Sequence, residues 1–130
     1  MVLGFVEKCL VPLQTLLDVD NLRIYSIEFP IVYEKEAGRV DLILEIVKDG
    51  NLFDKKNPLL VFEFKRDKIK YGPVDQLSFY MKTVGAALYR QTVIGFLAAP
   101  TFSVHEIEEA TKASFHCLQF DLSGNLNLLS

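Results

Sequence analysis

Glycine and proline are scarce in this chain, seven and five among 130 residues, while half of the residues are hydrophobic. That balance excludes collagen-like, low-complexity and disordered classes, since a chain with this much apolar material can close a core. Cysteine and histidine are scarcer still, two of each. Cys9 and Cys117 have no second Cys or His at metal-ligand spacing, and His116 merely neighbours Cys117 in the chain. The pattern argues against a zinc site and a disulfide framework, and both thiols are expected to be free and buried. Neither His105 nor His116 has a triad partner at recognisable spacing, which argues against histidine-based nucleophilic catalysis.

Long apolar runs are also missing. The longest, Val93 to Pro100, falls well short of the ~20 residues that span a bilayer. The apolar start MVLGFVEKCLVPLQTLL has no basic n-region, is interrupted by Glu7 and Lys8, and leads to no small-residue cleavage site. It is expected to be a folded helix of a cytoplasmic protein, not a signal peptide. Neither G-x-x-x-x-G-K-[ST] nor G-x-G-x-x-G occurs, so no nucleotide cofactor is expected. A formal net charge of -3 gives no general attraction for a polyanion, yet Lys65, Arg66, Lys68 and Lys70 cluster, as do Lys55 and Lys56.

What is present reads as a single domain over residues 1–130, of α/β class. Leu3, Val6, Leu10, Leu13 and Leu17 recur with helical period, with Pro12 as a kink or restart. Leu22 to Tyr33 and Arg39 to Lys48 are rich in β-branched and aromatic residues and flank a turn-like Glu34 to Gly38, which predicts a hairpin. Leu59 to Arg66, LLVFEFKR, is apolar on both faces until its end, as in a central strand covered on both sides. Pro73 suits the first position of a second helix, with Val74, Leu77, Met81, Val84 and Leu88 as its seam. Thr92 to Ala99 reads as a buried strand. Ser103 and Glu106 form a capping box for a short acidic helix, and Phe115 to Leu122 with Asn125 to Leu129 reads as a closing edge hairpin. The order is α-β-β-β-α-β around a mixed central sheet, plus a C-terminal α-β appendage.

Glu63 and Lys65 are two apart on a strand, and so share the face that Leu59 and Val61 commit to the interior. A carboxylate there needs an ion pair or a metal to offset desolvation. If the strands 39–48 and 59–66 are antiparallel around a symmetric loop, Asp41 lies opposite Phe64, give or take one residue, and Glu45 pairs deeper, near Leu60. Two carboxylates and a lysine converging at the end of a buried sheet make a hard-oxygen site for Mg²⁺ or Mn²⁺ with an ammonium beside it, suited to phosphodiester chemistry. The same E-x-K also fits an ordinary ion pair at a strand end.

In the order of its elements, in GRVD (Gly38 to Asp41) and in VFEFKR (Val61 to Arg66), the chain resembles the PD-(D/E)XK nuclease superfamily. Gln76 and Tyr80 in DQLSFY match the Q-x-x-x-Y of the RecB-type branch, and Glu7 is the candidate for its first-helix acid. The RecB-like, restriction-endonuclease-like and Holliday-junction-resolvase-like branches stay open. The resemblance implies a restriction-endonuclease-like three-layer core and a metal-dependent deoxyribonuclease. In it Asp41, Glu63, the Phe64 backbone carbonyl and Glu7 hold Mg²⁺ or Mn²⁺, Lys65 acts on water and phosphate, and Gln76 and Tyr80 position the backbone. Lys55, Lys56, Arg66, Lys68, Lys70, Lys82 and Arg90 are candidate DNA contacts. The alternative is a catalytically inert nucleic-acid-binding or assembly module on the same fold. A chain this short is expected to form a homodimer, with Phe115 to Leu129 as the edge.

Overall fold

The computed structural model describes residues 2–33, 36–48, 50–65 and 73–130; for Tyr33, Glu36, Ala37, Pro73, Val74 and Gln76 it describes the backbone alone. The first helix, α1 (Val2–Leu16), obeys the apolar spacing and buries Phe5, Cys9 and Leu13; it runs on past Pro12 for another turn. A hairpin follows, β1 (Leu22–Tyr33) and β2 (Glu36–Ile46), antiparallel from Leu22↔Ile46 to Tyr33↔Glu36. The turn expected over Glu34 to Gly38 is shorter than its polar composition suggests, because Ala37 and Gly38 already pair with Val32 and Ile31. β3 (Leu59–Phe64) lies antiparallel to β2 and is buried at all six positions, as a two-sided central strand must be.

α2 (Pro73–Leu88) starts at the expected proline and leads to β4 (Val93–Ala99), parallel to β3. α3 (Val104–Lys112) then leads to β5 (His116–Phe120), parallel to β4, and β6 (Leu126–Leu128) closes the edge antiparallel to β5. The strand order in the one sheet is the order along the chain, β1 to β6. The C-terminal α-β unit is thus a continuation of the sheet. Successive right-handed crossovers that advance in one direction put their helices on one face. Accordingly α2 and α3 share a face and α1 covers the other, which gives three layers.

Along β3, β4 and β5 period-two alternation splits the core between those faces. Under α1, Phe5 packs edge-on against Phe64 and Phe120 and tilted against Phe62, and Phe62 stacks on Phe96 with ring centroids 4.8 Å apart. Under α2 and α3 lie Val40, Ile43, Leu59, Val61 and Leu97, met by Leu77, Tyr80, Val84 and Ala110. The approach of α2 to β4 requires Gly95, since a Cβ there would run into Met81 Sδ and come within 2.9 Å of Phe115 Cδ1. Both cysteines are free and buried, as expected. No helix among the described residues is long and apolar enough to cross a membrane.

Candidate active site

The β2–β3 ladder runs from Glu45↔Leu59 to Leu42↔Phe62. One further step in that register sets Asp41 against Glu63, within the single residue allowed by the symmetric-loop argument. Glu63, two residues from Val61 on β3, shares its face under α2 and α3, whereas in β2 the alternation breaks at Asp41, since Val40 and Ile43 both pack on that face and Leu42 on the other. Asp41 and Glu63 are both buried, at 7% and 4% exposure. The Phe64 backbone N–H donates to Asp41 Oδ2 at 2.9 Å, and so ties the carboxylate to the end of β3. Lys65 N–H donates to Ala98 O at 2.9 Å on the β4 side. Backbone groups alternate sides along a strand, so the carbonyl of Phe64 faces β2, the side on which Asp41 lies.

Lys65 follows where β3 ends, its side chain about a quarter exposed. Its ammonium donates to Glu106 Oε1 at 2.8 Å and stands 6.0 Å from the centre of the Phe102 ring. Glu106 belongs to the capping box the sequence indicates: Ser103 N–H donates to Glu106 Oε1 at 2.8 Å, and Glu106 N–H donates to Ser103 Oγ at 3.2 Å. Burial alone would raise the Glu106 carboxyl, but the hydrogen bonds from Lys65 and Ser103 outweigh it and hold the group below the usual carboxylate range. Its second role, reaching Lys65 across 41 positions, carries no short-range signal in the sequence.

Tyr80 is 4% exposed on the same face, and its hydroxyl lies 3.1 Å from where a Cβ on Gly38 would stand. It thus abuts the backbone that leads into Asp41. Gln76 is in the first turn of α2, one turn before Tyr80; its side chain lies outside the described residues. Glu7 is not brought to this group. α1 faces the other side of the sheet, and the Glu7 carboxylate is 75% exposed with Lys8 Nζ 3.8 Å away. The sequence leaves Glu7 at the border of the apolar stripe, and the border it occupies points to solvent.

Among the proposed phosphate contacts, Arg66, Lys68 and Lys70 lie outside the described residues. Lys82 is exposed on α2. Lys55 and Lys56 are exposed in the β2–β3 connection, at the end of the sheet opposite Glu63, and Lys55 Nζ sits 5.5 Å from the Tyr89 ring centre. Arg90 is corrected outright: its side chain is 2% exposed, 3.0 Å from Glu45 Oε2 and 2.9 Å from the Asn57 carbonyl. A guanidinium enclosed this way cannot present itself to a phosphate. Glu45 is its counter-ion and also accepts the Phe53 N–H at 2.9 Å, so it anchors the β2–β3 connection.

Asp41 and Glu63 are buried carboxylates and the Phe64 carbonyl faces β2, and oxygen donors are the kind that hard divalent cations take. No group of three His, Cys, Asp or Glu side chains able to hold a metal occurs among the described residues. No protein-family model and no curated protein sequence matches the chain. Two solved structures are similar. A repair endonuclease from Pyrococcus abyssi superposes with a TM-score of 0.57 at 23% identity over 88% of this chain, and EndoMS in its complex with dsDNA with 0.56 at 18% over 94%. The chain spans 46% of the length of each. The fold is restriction-endonuclease-like α/β, with a mixed six-stranded sheet.

Proposed function

We propose that this chain is a metal-dependent deoxyribonuclease of the PD-(D/E)XK kind. The observation that carries the reading is the pair of buried carboxylates on adjacent strands, Asp41 in the middle of β2 and Glu63 near the end of β3, with Lys65 two residues beyond Glu63. Asp41, Glu63 and the Phe64 carbonyl would hold Mg²⁺ or Mn²⁺. When bound, such a cation supplies Lewis-acid stabilisation of charge on a phosphate. Lys65 orients the attacking water and stabilises negative charge that develops on the scissile phosphodiester. Gln76 positions the DNA backbone and Tyr80, one turn on and buried against Gly38, supports the strand that carries Asp41, with Lys82 and the basic run from Arg66 to Lys70 as phosphate contacts. That the two similar structures are a repair endonuclease and EndoMS with bound dsDNA supports DNA as the substrate. Pairing of two copies along the free edge of β6 would enlarge the DNA surface.

The rival, an inert binding module on this fold, draws support from Glu7, which adds no third carboxylate to the pair. One experiment separates the two. A panel of labelled DNA structures, including single strands, flaps, junctions and duplexes, is incubated with protein in Mg²⁺, Mn²⁺ or EDTA. Cleavage that needs the metal supports the nuclease, whereas binding without cleavage, unchanged in EDTA, establishes the module.

A further inference from the structure

Lys65 ends in an ammonium on a four-carbon stem, and its position must be held if it is to meet a phosphate. Its anchor comes from a distant element. Glu106 Oε1 lies 2.8 Å from Lys65 Nζ, and the same oxygen accepts the Ser103 N–H at 2.8 Å. Glu106 is itself immobilised, because both halves of its capping box are formed. Its placement over the end of β3 follows from topology: β4 runs parallel to β3 with Phe64↔Ala98 in register, and the chain turns from β4 into α3 within a few residues. A capping box asks only for an acceptor at this position, and glutamine serves it as well as glutamate. The bond to Lys65 is therefore additional to the cap.

We propose that Glu106 is a positioning residue of the site, which fixes the Lys65 ammonium at the carboxyl end of β3 while remaining off the substrate itself. The proposal rests on the nuclease reading for its catalytic consequence and on the Lys65–Glu106 geometry for its physical content. Three variants separate the roles. Glu106→Met removes the acceptor at similar length, Glu106→Gln keeps it, and Ser103→Ala weakens the cap while leaving the carboxylate. On cleaved duplex DNA, Glu106→Met should lower kcat by about tenfold or more with KM little changed, as expected for a misaligned group. Glu106→Gln should restore most of kcat, and Ser103→Ala should lower the melting temperature while keeping kcat. The ¹⁵N signals of the lysine ammonium groups give a second readout that needs no cleavage: Lys65 should be ordered in the wild type and Glu106→Gln, and mobile in Glu106→Met. Equal Lys65 mobility in wild type and Glu106→Met, or a kcat loss that follows melting temperature across all three variants, overturns the proposal. A wild type that cuts nothing overturns the nuclease reading instead, and the ammonium spectrum still decides the contact.

Discussion

The N–H of Phe64 donates to Asp41 Oδ2 at 2.9 Å, joining the proposed ligand on β2 to the backbone whose carbonyl completes the donor set. Asp41 thus holds its own neighbour in place. Loss of cleavage is the expected outcome for Asp41→Ala, Glu63→Ala and Lys65→Ala. Asp41→Ala differs from the other two because it strands a buried N–H, which costs about 1–3 kcal/mol. Relief of carboxylate repulsion alone would stabilise that variant. Chemical denaturation decides the sign, and Asp41→Asn, which keeps an acceptor, should lose cleavage with less loss of stability.

Tyr80→Phe tests the hydroxyl against Gly38. The ring keeps its packing among Leu77 and Val84, so the melting temperature should change little while cleavage slows. Normal cutting by this variant would reduce Tyr80 to a core residue.

Arg90→Met should unfold the protein far more readily than its place in the turn after α2 suggests. It leaves Glu45 buried without its counter-ion, and breaking a buried pair by removing one partner costs about 3–5 kcal/mol. Glu45→Ala should do the same from the other side. Both variants, where folded, should keep wild-type kcat, since the pair sits at the far end of the sheet from Glu63. An unchanged denaturation midpoint in either would refute the structural role.

Acid titration should expose the Glu106 contact. A carboxyl held below its unfolded value contributes stability that is present above that value and is lost as pH falls through the depressed folded one. The wild type should therefore exceed Glu106→Gln in melting temperature near pH 7. The two curves should converge as pH drops below the usual glutamate value of 4.5. A gap independent of pH would assign the difference to the cap alone.

The elements and the register of the central hairpin were legible because local signals agree with the global fold: apolar spacing in α1, Pro73 at the start of α2, Ser103 with Glu106 at the start of α3. The register of β2 against β3 was legible to within one residue, since a nearly symmetric loop sets it. Glu7 was misplaced because helical spacing tells which stripe is buried but not which face of the sheet receives it. Arg90 looked like a solvated charge after a helix end. Only its packing beside Glu45 and 5.5 Å from the Tyr25 ring centre reveals an internal one. Contacts between residues so far apart in sequence leave no periodic trace.

The division of the core has an evolutionary corollary. Among the described residues, Glu63, Lys65, Tyr80 and Glu106 lie on or beside the face under α2 and α3, while the face under α1 is packed with Phe5, Phe62, Phe64, Phe96 and Phe120. Variation on the first face can retune substrate choice without disturbing the aromatic layer, and the aromatic layer can absorb stabilising changes without touching the carboxylates. A lineage carrying this fold can therefore drift in specificity and in robustness along largely independent axes, with β3, whose alternate residues serve both, as the least mutable strand.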